Sequence, residues 1–359
     1  MDFGLSEEQE MLQETVRGFA QNECPTTRLR ELFDEGNGHD PALWQALAEM
    51  GVAGLTVPEE QGGAGMEFLD LALVAEVLGE FALPSPFIGH SLAIQGILLA
   101  GSEAQCASLL PALASGELIA SIALHESDVV WAPSDWTAKL DGDRLSGTKI
   151  YVSHAKVVDR LLVGVQGGEF VWVDTKADGV EIEDLGAIDR TRPMSKVTFT
   201  GAEAIKLEGG AGTASGLLDA AAALLAADAF GAASKLIDLD VAYSLEREQF
   251  GQPIAQFQAI KHTIARLGTD IEPTRALYWY AAHALDHLPD EASKAASIAK
   301  AHITDRAMNA ARESVELHGG YGFTWECEVQ MWFKRIMVDR AIYGTPDEHR
   351  DRSAALGGY

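Results

Sequence analysis

The sequence predicts an α+β fold: an N-terminal α-helical domain over residues 1–115, a middle β-domain of barrel or sandwich type over 116–208, and a C-terminal four-helix bundle over 209–359. Three textures predict it. Apolar residues recur every three or four positions in the first region, short β-branched runs separated by glycines fill the second, and alanine-rich stretches dominate the third. With 359 residues, 47% of them hydrophobic, the chain can bury a sizeable core.

In the first region Met11, Leu12, Val16 and Phe19 share one helical face, and Leu43, Leu47 and Met50 share another. Ser6 with Gln9 three residues on has the spacing of a capping box. The stretch from Pro58 to Gly65 is a loop whose glycines suit a turn or a close backbone approach. No Gly-x-Gly-x-x-Gly follows a predicted strand, so a Rossmann dinucleotide site is not supported. In the second region Leu118 to Leu124, Leu161 to Val165, Phe170 to Val173 and Lys196 to Thr200 read as strands. Turn signals at Asp141-Gly142 and Gly167-Gly168 make them a small antiparallel domain. In the third, Ala220 to Ala223 and Ala226-Ala227 predict long helices in close contact, because alanine is the best helix former and the least bulky.

Twenty-seven basic residues against 54 acidic ones give a net charge of -27, which disfavours nucleic acid or an anionic membrane as the main partner. An anionic ligand would need a local basic pocket. The N-terminus lacks a basic and apolar leader pattern, and no run approaches eighteen uninterrupted apolar residues, so the expected location is cytoplasmic. Cys24, Cys106 and Cys327 are far apart and odd in number, which suggests neither a disulfide framework nor a cysteine metal site. His283 and His287 stand four apart on a predicted helix, but without a fixed carboxylate beside them they read as a solvated face, and no metal site is predicted.

Five motifs occur in order: Leu5-Ser-Glu-Glu-Gln9; Val57-Pro-Glu-Glu-Gln-Gly-Gly-Ala-Gly65; Gly147-Thr-Lys-Ile-Tyr-Val-Ser-His154; Arg247-Glu-Gln-Phe-Gly-Gln-Pro-Ile254 with Phe257-Gln258; and Glu316-Leu-His-Gly-Gly-Tyr-Gly322. Over essentially its whole length the chain resembles the acyl-CoA dehydrogenase family. The resemblance implies FAD as cofactor, an acyl-CoA thioester as substrate, α,β-desaturation, and a dimer or tetramer in which each FAD lies across a subunit boundary. It also implies that Arg247 pairs with a neighbour's pyrophosphate, a role suited to a planar, permanently charged fork. Phe250, Gly251, Phe257 and Gln258 would line the same cofactor, with Gly319 and Gly320 letting the backbone approach it. Ser153 and Thr345 complete the implied cofactor set. Glu316 stands where the family usually has glutamine, and a carboxylate beside a pyrophosphate is repulsive.

Desaturation requires a carboxylate to remove the α-proton, a contribution of about 10² to 10⁴ in rate. The family commonly places that glutamate immediately before a Gly-Thr near the C-terminus, and here Tyr343 precedes Gly344-Thr345. The family's second placement falls on Ala221, leaving Asp219 as the candidate that a small indel would bring into register; otherwise Asp219 and Asp228 read as helix-surface charge. Tyrosine, with an ordinary pKa near 10, is ionised to only about one part in a thousand at neutral pH. Its expected role is packing or substrate lining. The stretch Ala123 to Asp128 lacks the family's glycine and proline beside the flavin ring, and His125 within it is either a neutral histidine in the remodelled pocket or, the favoured reading, an exposed turn residue. Lys334-Arg335 could attract CoA phosphates or a partner, and the charged tail Pro346 to Arg352 reads as surface or subunit contact.

The motifs lent to a neighbour's FAD are retained, and those serving this subunit's own flavin and base are degraded. That pattern resembles the base-deficient subunit of an α2β2 acyl-CoA dehydrogenase of the steroid or bile-acid side-chain type, working with a catalytic paralogue. Two alternatives are an active homotetramer with a relocated base and a non-enzymatic scaffold or thioester-binding protein.

Overall fold

The computed structural model describes residues 4–127, 131–210 and 212–359. Six helices open the chain: α1 (Glu7–Glu23), α2 (Thr26–Glu35), α3 (Pro41–Glu49), α4 (Phe68–Glu80), α5 (Phe87–Ala100) and α6 (Glu103–Ala114). Ser6 caps α1 with the expected reciprocal bonds to Gln9. Seven strands follow: β1 (Ala120–Ala123), β2 (Lys139–Asp141), β3 (Arg144–Ser153), β4 (Arg160–Val165), β5 (Glu169–Asp174), β6 (Val180–Asp184) and β7 (Met194–Lys206). They form one sheet ordered β1-β4-β5-β7-β3-β2, with β6 also on β7. The thirteen-residue β7 joins both halves, pairing with β3 and β6 along its first part and with β5 near its end. The sheet is not wholly antiparallel as expected: β1 runs parallel to β4. The long connection carrying β2 and β3 between them makes the parallel pairing possible.

The alternation along β4 and β5 serves two cores. Leu162, Phe170 and Trp172 pack with the helices, whereas Leu161, Val163, Val171 and Val173 join Val197 and Phe199 in a core internal to the sheet. The rest of the chain is α7 (Thr213–Glu246), a short hairpin of β8 (Glu248–Gln249) and β9 (Gln252–Pro253), α8 (Gln258–Ile271), α9 (Arg275–His287), α10 (Pro289–Leu317), α11 (Val329–Ala341) and α12 (Pro346–Leu356). This is a helical domain built on α7 and α10. Length and composition alone would let α7 cross a membrane, but 94% of its most apolar window is buried, as in the core helix of a bundle. Ala220 to Ala223, Ala226 and Ala227 lie in that core.

α4 meets α7 at a glycine contact. A Cβ on Gly79 would sit 2.1 Å from the Asp228 carbonyl oxygen, and one on Gly231 would sit 1.9 Å from that of Glu76. Both glycines are required by backbone approach, which brings the N-terminal domain against the bundle.

Candidate active site and cofactor surface

Tyr343 stands on the link between α11 and α12, and its backbone is left-handed at φ +56°. That conformation costs a non-glycine residue about 1–2 kcal/mol, so the surroundings must impose it. Two histidines do so. The Tyr343 N–H donates to Nε2 of His125 at 3.0 Å, and the Tyr343 carbonyl accepts from Nε2 of His349 at 2.9 Å. The His125 and Tyr343 rings lie 5.1 Å apart, and Trp131 stacks on His349 at 5.7 Å. Burial pushes both imidazoles down to about 4, which keeps them neutral. Gly344, at φ +102°, has no room for a side chain, since a Cβ would meet His349 at 2.8 Å and Trp131 at 2.9 Å.

The Tyr343 side chain is 4% exposed and, with Ile88, Leu92, Ser153, Leu225 and Ile342, lines a cavity of only about 30 Å³. That volume holds a water or two, not an acyl chain. Burial pushes the phenol well above its ordinary range, so Tyr343 cannot act as a base near neutrality. Beside it runs an apolar cleft of about 430 Å³ between the sheet and α11, lined by His125, Tyr151, Met194, Val338, Ile342 and Thr345.

His125 is therefore not the exposed turn residue expected from the sequence: it is buried because the chain leaving β1 passes directly against Tyr343. Glu126 pins this segment, accepting from both the amide and the hydroxyl of Thr137 and pairing with the buried Lys149 at 2.7 Å. Asp128 lies outside the described residues.

Ala221 is fully buried in α7, and Asp219 is no surface charge either. Its carboxylate pairs with Arg352 of α12 at 2.6 Å and accepts from Ser293 of α10 at 2.5 Å, so it ties three helices together instead of serving as a free base. Asp228 is likewise buried: Arg335 grips both its oxygens, at 2.6 and 2.8 Å. Arg192, which also lines the small cavity, bridges Asp189 at 2.9 Å and Asp339 at 2.6 Å in the same network. Arg335 is thus spent on internal pairing rather than offered to CoA phosphates, and Lys334 lies over the rings of Trp325 and Phe33. The sequence offered no sign of this network, because its members are up to 150 residues apart in the chain.

The implied cofactor residues separate into two sets. Arg247 closes the end of α7, and the following hairpin presents Phe250, 93% exposed and left-handed at φ +54°, with Gly251 at φ +81°. Phe257 caps α8 and meets Phe250 edge to face at 6.0 Å, with Gln258 exposed beside it. Among the described residues Arg247 forms no ion pair. Tyr243, one turn before Arg247, stacks on His318 at 4.2 Å and so joins this hairpin to the end of α10, where Glu316, Gly319 and Gly320 are all exposed. Gly319 is left-handed at φ +60°, whereas at Gly320 a Cβ would meet nothing within 4 Å. Nothing among the described residues demands glycine at 320.

Ser153 and Thr345 belong to the other set, beside Tyr343. Nε2 of His154 donates to the Gly38 carbonyl at 2.9 Å, so the Ser153 hydroxyl donates to the remaining nitrogen, Nδ1, at 2.7 Å. Thr345 caps α12 through Glu348 while lining the cleft. His283 and His287 are exposed, as expected of a solvated face, but His287 does have carboxylates beside it, Glu67 at 3.1 Å and Asp286. Asp286 also accepts from the Phe68 amide at the start of α4.

Two helical domains on a central sheet, with a cleft between the sheet and α11, match the class of oxidoreductases that act on acyl-CoA, as comparison with known proteins shows. The acyl-CoA dehydrogenase N-terminal domain matches residues 6–117, and the acyl-CoA dehydrogenase C-terminal domain matches residues 208–356. The chain is 32% identical over 352 residues to the acyl-CoA dehydrogenase IpdE2 of Mycolicibacterium smegmatis, covering 98% of this chain and 99% of that one. It is 33% identical over 350 residues to FadE34 of Mycobacterium tuberculosis, covering 92% of this chain and 45% of that one. Among solved structures it superposes on the Tcur3481-Tcur3483 steroid ACAD with a TM-score of 0.91 at 31% identity, covering 98% of each chain. The chain belongs to the acyl-CoA dehydrogenase family.

Proposed function

We propose that this chain is the non-catalytic subunit of a heteromeric acyl-CoA dehydrogenase, in which it completes the FAD site of a base-bearing partner. The narrow cavity at Tyr343 carries the reading. Where the family's base would face the α-carbon of the acyl group, this chain has a buried neutral phenol and about 30 Å³ of space. An active homotetramer with a relocated base is disfavoured on the same ground, since Asp219 is already bonded to Arg352 and Ser293.

The residues at the ends of α7 and α10 fit the adenosine and pyrophosphate half of FAD. Arg247 offers an uncommitted guanidinium, Phe250 exposes its ring at the cost of a strained backbone, and Gly320 has no internal reason to be glycine. In this reading Arg247 holds the pyrophosphate, Phe250 and Phe257 cover the dinucleotide, and Gly319 and Gly320 permit backbone approach. When bound, FAD supplies the acceptor for the β-hydride; the partner supplies the carboxylate. The steroid ACAD neighbour, with its paired name, supports a two-chain assembly and a steroid-derived acyl group.

The test is Arg247→Ala in the reconstituted complex. Loss of one charge-assisted, bidentate pairing should cost about 1.5–3 kcal/mol, roughly a 10- to 150-fold weakening of FAD retention. Unchanged flavin content would favour a scaffold.

A further inference from the structure

We propose that the groove between α10, α11 and α12 is a binding site for a multiply charged phosphate group. Four arginines converge on this groove of about 420 Å³: Arg306 and Arg312 from α10, Arg340 from α11 and Arg350 from α12. The chain as a whole has two acidic residues for each basic one, 54 against 27. Here basic groups outnumber acidic ones. The carboxylates in contact with these guanidiniums are Asp305, shared by Arg340 and Arg350, Asp270 on Arg306 at 3.3 Å, and Asp347 on Arg350 at 2.6 Å. Four cations meet three anions, and Arg312, which forms no ion pair among the described residues, is the excess.

Each guanidinium has five N–H donors, and one shared carboxylate cannot occupy those of two arginines, so several donors remain for a ligand. A planar fork matches phosphate oxygens in pairs, and the volume lies within the range of small-ligand sites. Burial first, and then Arg306 and Arg350, hold the His302 imidazole below its ordinary range against the opposing pull of Asp305 and Asp270. Arg312 also lines a second groove with Glu316, one turn further along α10, so the site adjoins the helix end that carries Gly319 and Gly320. CoA thioesters and FAD share the required chemistry, and the proposal stands whether or not the flavin reading above does.

Titrate inorganic pyrophosphate into the full-length chain at low ionic strength and follow it by calorimetry. Saturable binding to one site is expected, weakened about tenfold or more in Arg306→Gln/Arg312→Gln and to a lesser degree in Arg312→Lys, which keeps the charge but not the fork. Arg312 is exposed, so an unchanged circular-dichroism spectrum is the folding control. Displacement of pyrophosphate by coenzyme A or by FAD supports the proposal and identifies which molecule bears the phosphate. Absence of saturable heat overturns it, as does wild-type binding by the double variant. Exclusion of pyrophosphate by the partner subunit would also overturn it, by assigning the groove to that subunit's carboxylates.

Discussion

Tyr343 does the work of a core residue at the position of a base. Its ring fills the chamber, its amide and carbonyl are held by His125 and His349, and its backbone is strained at φ +56°. Two opposing effects follow from replacing it. Tyr343→Ala should destabilise the fold by about 3–5 kcal/mol through the cavity it leaves. Tyr343→Gly loses the same ring but relieves a left-handed penalty of about 1–2 kcal/mol, so its urea midpoint should lie above that of the alanine variant. Equal midpoints would mean that the backbone there is unstrained. The sequence showed that a tyrosine replaces the base. It could not show how Tyr343 is held, because His125 is 218 residues away from the backbone amide it accepts.

Among the elements, the α4–α7 crossing sets how the N-terminal domain meets the bundle, and a buried charge network sits beside it. Asp228, on α7, contributes its carbonyl to the Gly79 contact and its carboxylate to Arg335. Asp228→Ala leaves Arg335 buried with its main counter-ion gone, a loss of about 3–5 kcal/mol. The denaturation midpoint should fall accordingly, and a change below about 1 kcal/mol would show that Asp339 takes over the pairing. Helix identities were legible from alanine runs and the Ser6 cap, since local propensity decides them. The parallel β1–β4 pair and the interior use of Asp219, Asp228 and Arg335 were not, since tertiary partners decide those.

For the whole molecule, acid should loosen the fold. Burial holds His90, His125, His154 and His349 each at about 4, against about 6.5 in the unfolded chain. Below 6.5 the unfolded chain binds more protons, so this stability is fully present above pH 6.5 and is lost as pH falls towards 4, on the order of 3 kcal/mol per histidine at most. Asp240, pushed up to about 7 by burial, acts in the opposite sense, as do Glu76, Asp286 and Asp339, whose carboxyls burial also raises, against seven histidines that burial lowers once His39, His302 and His318 are included. A urea midpoint that drops between pH 7 and pH 5 is the expected outcome; a flat or rising profile would contradict the buried neutral histidines.

The same large scale decides the functional account. The domain order and the outward-facing Arg247 and Phe250 were readable because motif and turn chemistry are local. What Arg247 grips was given only by the family resemblance and not by this chain's own residues, because it would belong to another chain. The decisive measurement is the flavin-to-protein ratio of the purified full-length chain, alone and after co-expression with a base-bearing paralogue, read from flavin absorbance and native mass. The account predicts little or no flavin and no desaturation for the chain alone, with both recovered in a two-component complex. Stoichiometric FAD and turnover in the isolated chain would contradict it.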